Sequence, residues 1–254
     1  MTFSVVSYGG GVNSVAVCVG LVKRGEMPDL VMFADTGGER PETYQHVAKM
    51  FDWLQSRNVE CVTVRNAPAS GDKTLEQNCL RRKELPSLAY GFKGCSVKWK
   101  RQPMDRFLRQ QYAPSMEVLA AGEKVVRIIG IDAGETKRAK LPPDEHFIYR
   151  YPLVEWNWDR DDCIAVIEAA GLPIPPKSSC FFCPAMRRPE IRDLMEKHPD
   201  LYQRAVAMEQ NAETHTVVGL GRNWKWASLA EDRQMTFKFP EPQSPCDCMD
   251  GDEG

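Results

Sequence analysis

The sequence predicts an α/β fold: a doubly wound, mostly parallel sheet followed by a helical region that carries cysteines. Three observations support this prediction. Short apolar runs alternate with helical patterns in the first half of the chain, three consecutive glycines follow the first of these runs, and a Cys-x-x-Cys pair lies in the second half. Strands that alternate with helices are joined by right-handed crossovers, so they form a parallel sheet with helices on both faces.

The first half contains four predicted strands. The predicted elements are strands at residues 3–7, 30–34, 60–65 and 125–131 and helices at 15–23 and 41–57. Asn13 or Ser14 is the predicted cap of the first helix, since either side chain can accept hydrogen bonds from amides at a helix start. The segment at about 66–102 is rich in glycine, proline and charge and shows little periodicity. We therefore predict that it is an insertion or lid.

The second half is predicted to be helical. Its predicted helices lie at about residues 159–170, 189–198 and 201–213. The last fifteen residues, 240–254, combine prolines with acidic side chains, and this composition cannot pack a core unaided. We therefore divide the chain into a nucleotide-binding α/β domain at 1–158, which includes the insertion, and a helical region at 159–254.

The charge and hydropathy of the chain limit its partners. The 254 residues include 33 Lys and Arg against 35 Asp and Glu, for a net charge of −2. No global positive field therefore attracts the chain to nucleic acid or to an anionic membrane, so such a partner would need a local patch. No apolar run approaches the roughly 20 residues that span a bilayer, and no secretory signal pattern is present. We expect a cytoplasmic protein without a membrane partner.

Nine cysteines in a chain without an export signal favour metal or redox chemistry over a disulfide framework. Cys18 and Cys61 lie in apolar or alternating runs, and Cys163 lies in a predicted helix with apolar neighbours, so all three are predicted core residues. The remaining cysteines are the candidates for chemistry: Cys79, Cys95, Cys180, Cys183, Cys246 and Cys248.

The glycine loop is the first candidate site. It contains the predicted nucleotide-binding residues Ser7, Tyr8, Gly9, Gly10, Gly11, Asn13 and Ser14. Three successive residues without a Cβ allow backbone amides to close around an anion, and the following helix directs its positive end toward the same point. The loop has neither the Gly-Lys-Ser/Thr of a Walker loop nor the spaced glycines of a dinucleotide fingerprint. Its position after the first strand is where open α/β sheets bind ligands.

The glycine loop resembles the pyrophosphatase-type loop of ATP-pyrophosphatase proteins, whose usual form is Ser-Gly-Gly-x-Asp-Ser. Here Gly9 replaces the first serine and Asn13 replaces the aspartate. The resemblance implies an adenine nucleotide alpha hydrolase-like fold, with ATP or a related adenine nucleotide as cofactor and Mg²⁺ as its accompanying ion. Ser7 can supply part of the missing hydroxyl function.

The segment after the second strand contains Asp35-Thr36-Gly37 and then Pro-Glu-Thr, and it resembles the signature of the phosphoadenosine phosphosulfate reductase family. Asp35 can accept a hydrogen bond from a ribose or an amine, and Thr36 and Gly37 allow the chain to pass close to a nucleotide. A third segment is similar to the family's Gly-x-Arg-x-x-Glu-Ser stretch and supplies further predicted nucleotide-binding residues: Gly130, Asp132, Glu135, Lys137 and Arg138. Asp132 stands where arginine is common. The resemblance extends over about residues 4–187.

The cysteine spacing also resembles this family. In adenosine phosphosulfate reductases a tandem Cys-Cys and a later Cys-x-x-Cys bind a [4Fe-4S] cluster, and here Cys95, Cys180 and Cys183 match three of these ligands. Cys79, Cys246 or Cys248 is the candidate fourth ligand, or an iron is left open to bind sulfide or substrate. A zinc ion is the alternative metal.

Three functions follow as hypotheses. The first is an enzyme that adenylates a substrate oxygen with ATP and replaces that oxygen with sulfur, as members that act on DNA or tRNA do, together with a sulfur donor protein. The second is an adenylyl sulfate reductase that forms sulfite with a reductant protein. The third is a noncatalytic nucleotide-binding or cluster-sensing module. Pyrophosphate release from ATP, sulfite formation, or binding without turnover distinguishes the three.

Overall fold

The computed structural model describes residues 3–230, and these residues form a parallel α/β fold. The sheet has five strands, all parallel, in the order β3-β2-β1-β4-β5. The strands are β1 (Ser4–Tyr8), β2 (Leu30–Asp35), β3 (Glu60–Arg65), β4 (Val125–Ile129) and β5 (Phe147–Arg150). The strand order reverses between β1 and β4, so the carboxyl ends of these two strands border the crevice in which open α/β sheets bind ligands.

The helices cover both faces of the sheet and also form a separate group. They are α1 (Val12–Arg24), α2 (Pro41–Gln55), α3 (Leu75–Arg82), α4 (Gly94–Ser96), α5 (Gln102–Gln110), α6 (Ala113–Ala120), α7 (Pro152–Glu155), α8 (Arg160–Glu168), α9 (Arg188–Lys197) and α10 (Pro199–Asn211). A π-helical turn at Val97–Arg101 joins α4 to α5, and we call residues 94–110 the covering helix.

Alternating strand residues build two cores, one on each face of the sheet. Val6, Val31 and Ile128 belong to the core that includes α1, α2 and α8, whereas Val5 and Met32 belong to the core that includes α5 and α6. The two faces are therefore both covered, as the sequence predicts for a doubly wound sheet. Within the described residues no helix is long and apolar enough to cross a membrane.

A third core joins segments that are far apart in sequence. It contains Leu75, Cys79 and Trp99 from the predicted insertion and Phe181, Phe182 and Trp226 from the helical region. The predicted insertion thus packs against the carboxyl-terminal helices. Helix α8, which the predicted boundary assigns to the helical region, packs instead against α1, and its Cys163 lies in the same core as Cys18.

Several predicted elements differ from the observed ones. The segment 66–102 contains α3 and the start of the covering helix. Helix α3 was not predicted, because most of its residues are polar and its apolar face is narrow. Strand β5 was not predicted, because it is four residues long and its Ile148 is 50 % exposed at the sheet edge. Predicted core positions Cys18 and Cys163 are fully buried, and Cys61 is partly buried.

Candidate functional site

The glycine loop connects β1 directly to α1. Gly11 is the N-cap residue and has an extended backbone, with φ −103° and ψ 175°, and no side chain among the described residues caps the helix. The prediction that Asn13 or Ser14 caps it is wrong, because the helix begins at Val12 and both residues lie inside its first turn. Ser14 Oγ instead donates a hydrogen bond to the Gly11 carbonyl at 2.8 Å. The first amides of α1 therefore remain available to an anion.

The loop is closely bordered on one side and open on another. Gly10 has a φ of +77°, a left-handed backbone that favours glycine, and a Cβ there would lie 3.4 Å from the Thr43 side chain. A Cβ on Gly11 would lie 3.3 Å from Ser178 Oγ, whereas one on Gly9 would meet no heavy atom of the described residues within 4 Å. Ser178 thus places a hydroxyl beside the glycine loop. The sequence analysis did not identify Ser178, because no local signal connects it to Gly11.

The end of β4 packs against the start of α1. A Cβ on Gly130 would lie 2.9 Å from the backbone carbon of Asn13 and from the backbone nitrogen of Ser14, so this contact requires glycine. Asp132 is buried and accepts a hydrogen bond from Asn13 Nδ2 at 2.9 Å. Arg160 donates to Asn13 Oδ1 at 3.1 Å. Two predicted residues of the third motif, Gly130 and Asp132, therefore lie at the glycine loop.

The rest of the third motif forms a short helix of its own. Asp132 Oδ1 accepts from the Gly134 amide at 3.0 Å and begins a 3₁₀ helix at Ala133–Arg138. Within this helix Glu135 and Arg138 form an ion pair at 2.6 Å, and Lys137 is exposed. Contact of Glu135, Lys137 and Arg138 with a nucleotide stays a prediction.

Asp35 braces the turn after β2. Its carboxylate is 2 % exposed and accepts hydrogen bonds from the Gly37 amide at 2.7 Å, from Tyr44 Oη at 2.7 Å and from Arg65 Nε at 2.9 Å. Burial and Asp35 raise the pKa of Tyr44. Since both carboxylate oxygens already have partners, the described role of Asp35 is to hold the turn. Its predicted contact with a ribose or amine stays a prediction.

The same turn contacts the Cys-x-x-Cys segment, and we call residues 177–183 the cysteine arm. Thr36 Oγ1 lies 3.1 Å from Cys180 Sγ, and the Phe181 amide donates to the Gly38 carbonyl at 2.7 Å. A Cβ on Gly38 would lie 2.8 Å from the Phe182 ring. The cysteine arm therefore lies directly on the turn that follows β2.

A pocket opens between the carboxyl edge of the sheet and the covering helix. Its apolar lining consists of Tyr8, Phe33, Ala34, Val97, Met104, Ile129, Leu141 and Tyr149. Its polar lining includes Ser7, Gly9 and the cationic residues Lys93, Lys100, Arg101 and Arg127. This combination suits a ligand with a flat ring and a negative charge. Ser7, Tyr8 and Gly9 are predicted residues, so the structure brings the glycine loop to the rim of this pocket.

Arg127 is a buried cation in the pocket that the sequence analysis missed. Its Nε donates to Ser7 Oγ at 2.9 Å, its Nη1 pairs with Asp105 of the covering helix, and its guanidinium lies 5.4 Å from the Phe147 ring centre. The signal was present in the sequence, since an arginine interrupts the otherwise apolar strand β4. Burying such a charge is costly unless it is paired, and here it joins β1, β4 and the covering helix.

Lys100 of the covering helix extends toward the turn after β2. Its Nζ lies 3.0 Å from Glu39 Oε1, and the Glu39 side chain is 0 % exposed. Glu39 also forms an isolated antiparallel β-bridge with Cys180. Glu39 thus lies between the pocket and the cysteine arm, and no local sequence signal indicates this pair.

Four candidate cysteines lie around the third core. Cys79 is buried in it, and Cys95, Cys180 and Cys183 pack against it. Burial raises the pKa of Cys79 to about 12, with a further contribution from Cys95. Burial also raises the pKa of the Cys180 thiol, as do Glu39 and Cys95, while Lys100 lowers it. Cys95 therefore lies near both Cys79 and Cys180.

The cysteines that the structure describes do not form a metal site as they are placed. Within residues 3–230 no group of three His, Cys, Asp or Glu side chains is arranged to hold a metal ion. The donor chemistry suits an iron–sulfur cluster or zinc, but the arrangement does not, so the cluster, its zinc alternative and its ligands Cys95, Cys180 and Cys183 stay predictions. Of the candidate fourth ligands, Cys79 lies in the same neighbourhood, while Cys246 and Cys248 fall outside the described residues.

Comparison with known proteins gives a distant likeness. No protein-family model matches the chain, and no curated protein matches it. Among solved structures, the chain is similar to the U34-tRNA thiolase NcsA from Methanococcus maripaludis with its [4Fe-4S] cluster. The sequence identity is 13 %, the match covers 94 % of this chain and 84 % of that chain, and the TM-score is 0.45. The function proposed below rests on the geometry of the site.

Proposed function

We propose that this chain is an ATP-dependent enzyme of the adenylating sulfurtransferase type. In this reaction an oxygen of the acceptor attacks the α-phosphorus of ATP, and pyrophosphate leaves. A sulfur nucleophile then replaces the activated oxygen, and AMP leaves with that oxygen. The chemistry requires a nucleotide site and a sulfur site close to each other.

One observation carries the proposal: the cysteine arm lies beside both the glycine loop and the turn after β2. Ser178 Oγ is 3.3 Å from a Cβ position on Gly11, and two residues later Cys180 Sγ is 3.1 Å from Thr36 Oγ1. A single short segment thus connects the glycine loop to a thiol. A protein that only binds nucleotide has no need for this arrangement.

The proposed roles follow from the contacts. The amides of the glycine loop and of the first turn of α1 bind the phosphates, and the base lies against the apolar lining of the pocket. The cations around the pocket neutralise the charge that develops as pyrophosphate leaves, and holding both reactants in place supplies much of the rate gain. Mg²⁺ is the proposed companion of the nucleotide, and it would be bound mainly by the phosphates and one carboxylate.

The acceptor is proposed to be a nucleic acid, either DNA or tRNA. The covering helix carries four exposed basic residues, of which Arg101 also lines the pocket: Lys98, Arg101, Arg106 and Arg109. A local patch of this kind compensates for the net charge of −2, because phosphate contacts supply most of the nonspecific affinity for nucleic acid. The NcsA neighbour is described as a tRNA thiolase.

The test is anaerobic incubation of the full chain with labelled ATP, with and without DNA or tRNA, compared with incubation with adenylyl sulfates. We expect release of pyrophosphate from ATP that depends on the acceptor, and sulfur in the recovered nucleic acid. Iron and sulfide analysis of anaerobically purified protein, with Cys180→Ala as the matched variant, decides between a cluster and free thiols. Cys61→Ala is the control, since Cys61 lies on β3 and packs against the core of α1 and α2, not against the third core.

The other outcomes assign the alternatives. Formation of sulfite from an adenylyl sulfate, with a reductant protein required, would assign the chain to the reductases and contradict adenylation. Tight binding of ATP without pyrophosphate release under every acceptor condition would assign it to the noncatalytic class. Absence of binding to either nucleotide class would contradict both enzyme hypotheses.

A further inference from the structure

We propose that Lys100 binds the anionic part of the nucleotide that lies nearest the cysteine arm, and that Glu39 is the positioning residue that holds Lys100 there. This inference rests on the nucleotide site proposed above, and it adds a pair of residues that no motif of the sequence indicated.

The two members of the pair differ in their access to solvent. The side chain of Lys100 is 25 % exposed and lines the pocket together with Ser7 and Gly9, whereas the side chain of Glu39 is 0 % exposed. The lysine therefore presents a positive charge to the pocket, and the carboxylate holds this charge from the protein side. A lysine ammonium is a compact point charge that suits a phosphate oxygen.

The backbone fixes the position of Glu39. Glu39 pairs with Cys180 in the β-bridge, and the neighbouring Gly38 carbonyl accepts from the Phe181 amide at 2.7 Å. The backbone of Glu39 therefore cannot move without moving the cysteine arm. This connection links the carboxylate that pairs with Lys100 to the backbone of Cys180.

Packing alone does not explain why the second carboxylate oxygen of Glu39 is buried. Glu39 Oε2 is buried and has no hydrogen-bond partner among residues 3–230. A buried carboxylate is expensive unless its oxygens are paired, so an ion pair that served stability alone would be better replaced by apolar side chains. The buried charge is therefore better explained by a role in holding Lys100 at one place than by a contribution to stability.

The test measures ATP affinity, and it needs no knowledge of the acceptor. Glu39→Gln keeps an acceptor oxygen for Lys100 but removes the charge that partly neutralises it. We expect this variant to bind ATP more tightly, by about threefold to tenfold, with a steeper dependence on salt. Lys100→Met alone would leave a buried unpaired carboxylate and is expected to impair folding. The double variant Glu39→Gln/Lys100→Met avoids this and should bind ATP at least about tenfold more weakly.

The matched control is the exposed pair Lys83 and Glu213, whose side chains are 56 % and 67 % exposed and whose ion-pair distance is 2.7 Å. Neutralising this pair should leave ATP affinity unchanged. Circular dichroism and melting temperature confirm that each variant is folded. A purely structural pair cannot produce effects of opposite sign in the single and double variants.

The outcomes separate this inference from the proposed function. If the wild-type chain binds ATP and the folded double variant binds it equally well, the role of Lys100 is refuted and the nucleotide site stands. If Glu39→Gln leaves both affinity and salt dependence unchanged, the positioning role of Glu39 is refuted. If the wild-type chain binds no adenine nucleotide, the proposed function and this inference both fail.

Discussion

The two halves of the site are held together by different kinds of contact. We call residues 7–14, 35–38 and 130–132 the sheet half, and the cysteine arm together with residues 94–101 and helices α3 and α10 the cysteine half. The sheet half is shaped by parallel strand pairing and by glycines against which backbone packs, as where Gly130 meets Asn13. The cysteine half is held by side-chain contacts between segments more than a hundred residues apart, such as Glu76 with Arg204.

This difference explains what each half can tolerate. Backbone contacts at van der Waals distance leave no room for an added methyl group, so the sheet half is sensitive to volume. Ion pairs and hydrogen bonds between distant segments can be weakened one at a time, so the cysteine half is sensitive to charge. Substitutions that change volume in one half and charge in the other therefore test the comparison.

The largest effect is expected for Gly130→Ala. The new methyl group would lie 2.9 Å from the backbone of both Asn13 and Ser14, and neither backbone can move without displacing α1. We expect a loss of about 3 kcal/mol in the free energy of unfolding, measured by urea denaturation. ATP affinity should fall at least about tenfold, because the amides of the helix start would be displaced.

Gly9→Ala is the matched control for this prediction. No heavy atom of the described residues lies within 4 Å of its added methyl group. We expect an unchanged free energy of unfolding, with a reduction in ATP affinity of about a few-fold, because Gly9 lines the pocket. Equal destabilisation by the two substitutions would show that the close fit at Gly130 is not what shapes the sheet half.

The second effect is expected for Glu76→Gln in the cysteine half. Glu76 accepts from Arg204 Nε at 2.9 Å, and the Arg204 guanidinium lies 4.8 Å from the Phe181 ring centre. Since Arg204 is 49 % exposed, solvent screens part of the interaction, and we expect a loss of about 1–2 kcal/mol in the free energy of unfolding. The thiol of Cys180 should also react faster with a thiol reagent, because the cysteine arm would open more often.

Glu84→Gln serves as the control, because Glu84 pairs with Arg82 only two residues away and both side chains are about half exposed. Neutralising this local pair should change neither stability nor thiol reactivity measurably. If Glu84→Gln exposed Cys180 as much as Glu76→Gln, long-range pairing would not be the feature that holds the cysteine half.

The smallest effect is expected for Glu190→Gln and depends on pH. Burial opposes ionisation of Glu190, but the Arg187 amide and the Lys177 ammonium together hold its pKa below the ordinary value. A carboxyl whose folded-state pKa is lowered stabilises the fold above its unfolded pKa, and this contribution is lost as pH falls through the folded value. At neutral pH we expect the variant to lose about 1 kcal/mol.

The measurement is the melting temperature of both proteins from pH 7 to the acid range. The curves of the wild-type chain and Glu190→Gln should converge as pH falls below the ordinary pKa of a glutamate. Glu117→Gln is the control, because Glu117 is exposed on α6 away from the site. A constant difference between the curves at all pH values would contradict the role assigned to the Glu190 charge.

Most of the sheet half was predictable from local sequence signals. The apolar runs located β1 to β4, and the glycines after β1 marked the loop, because periodicity and glycine reflect contacts made within a few residues. Gly130 and Asp132 were also identified as site residues, and both lie beside α1. The start of α1 was misplaced by three residues, because the extended backbone of Gly11 replaces a side-chain cap.

The cysteine half was predictable only in part. The Cys-x-x-Cys spacing marked Cys180 and Cys183, but the positions of Ser178, Glu39 and Lys100 follow from tertiary contacts between distant segments. A single sequence contains no signal for a contact that spans 61 residues, as between Lys100 and Glu39. Arg127 is the exception, since a charged residue within an apolar strand already indicates a buried partner.

The π-helical turn at Val97–Arg101 constrains the number of residues in the covering helix. The Gln102 amide donates to the Val97 carbonyl, five residues earlier, where a regular α-helix would use four. Deleting one residue here would restore the regular turn and rotate everything before it by about 100° relative to α5. Trp99 would then leave the third core, and the lysine beside it would leave the pocket. In divergent relatives, the number of residues between Cys95 and Asp105, which pairs with Arg127, should accordingly be preserved more strictly than the identity of those residues.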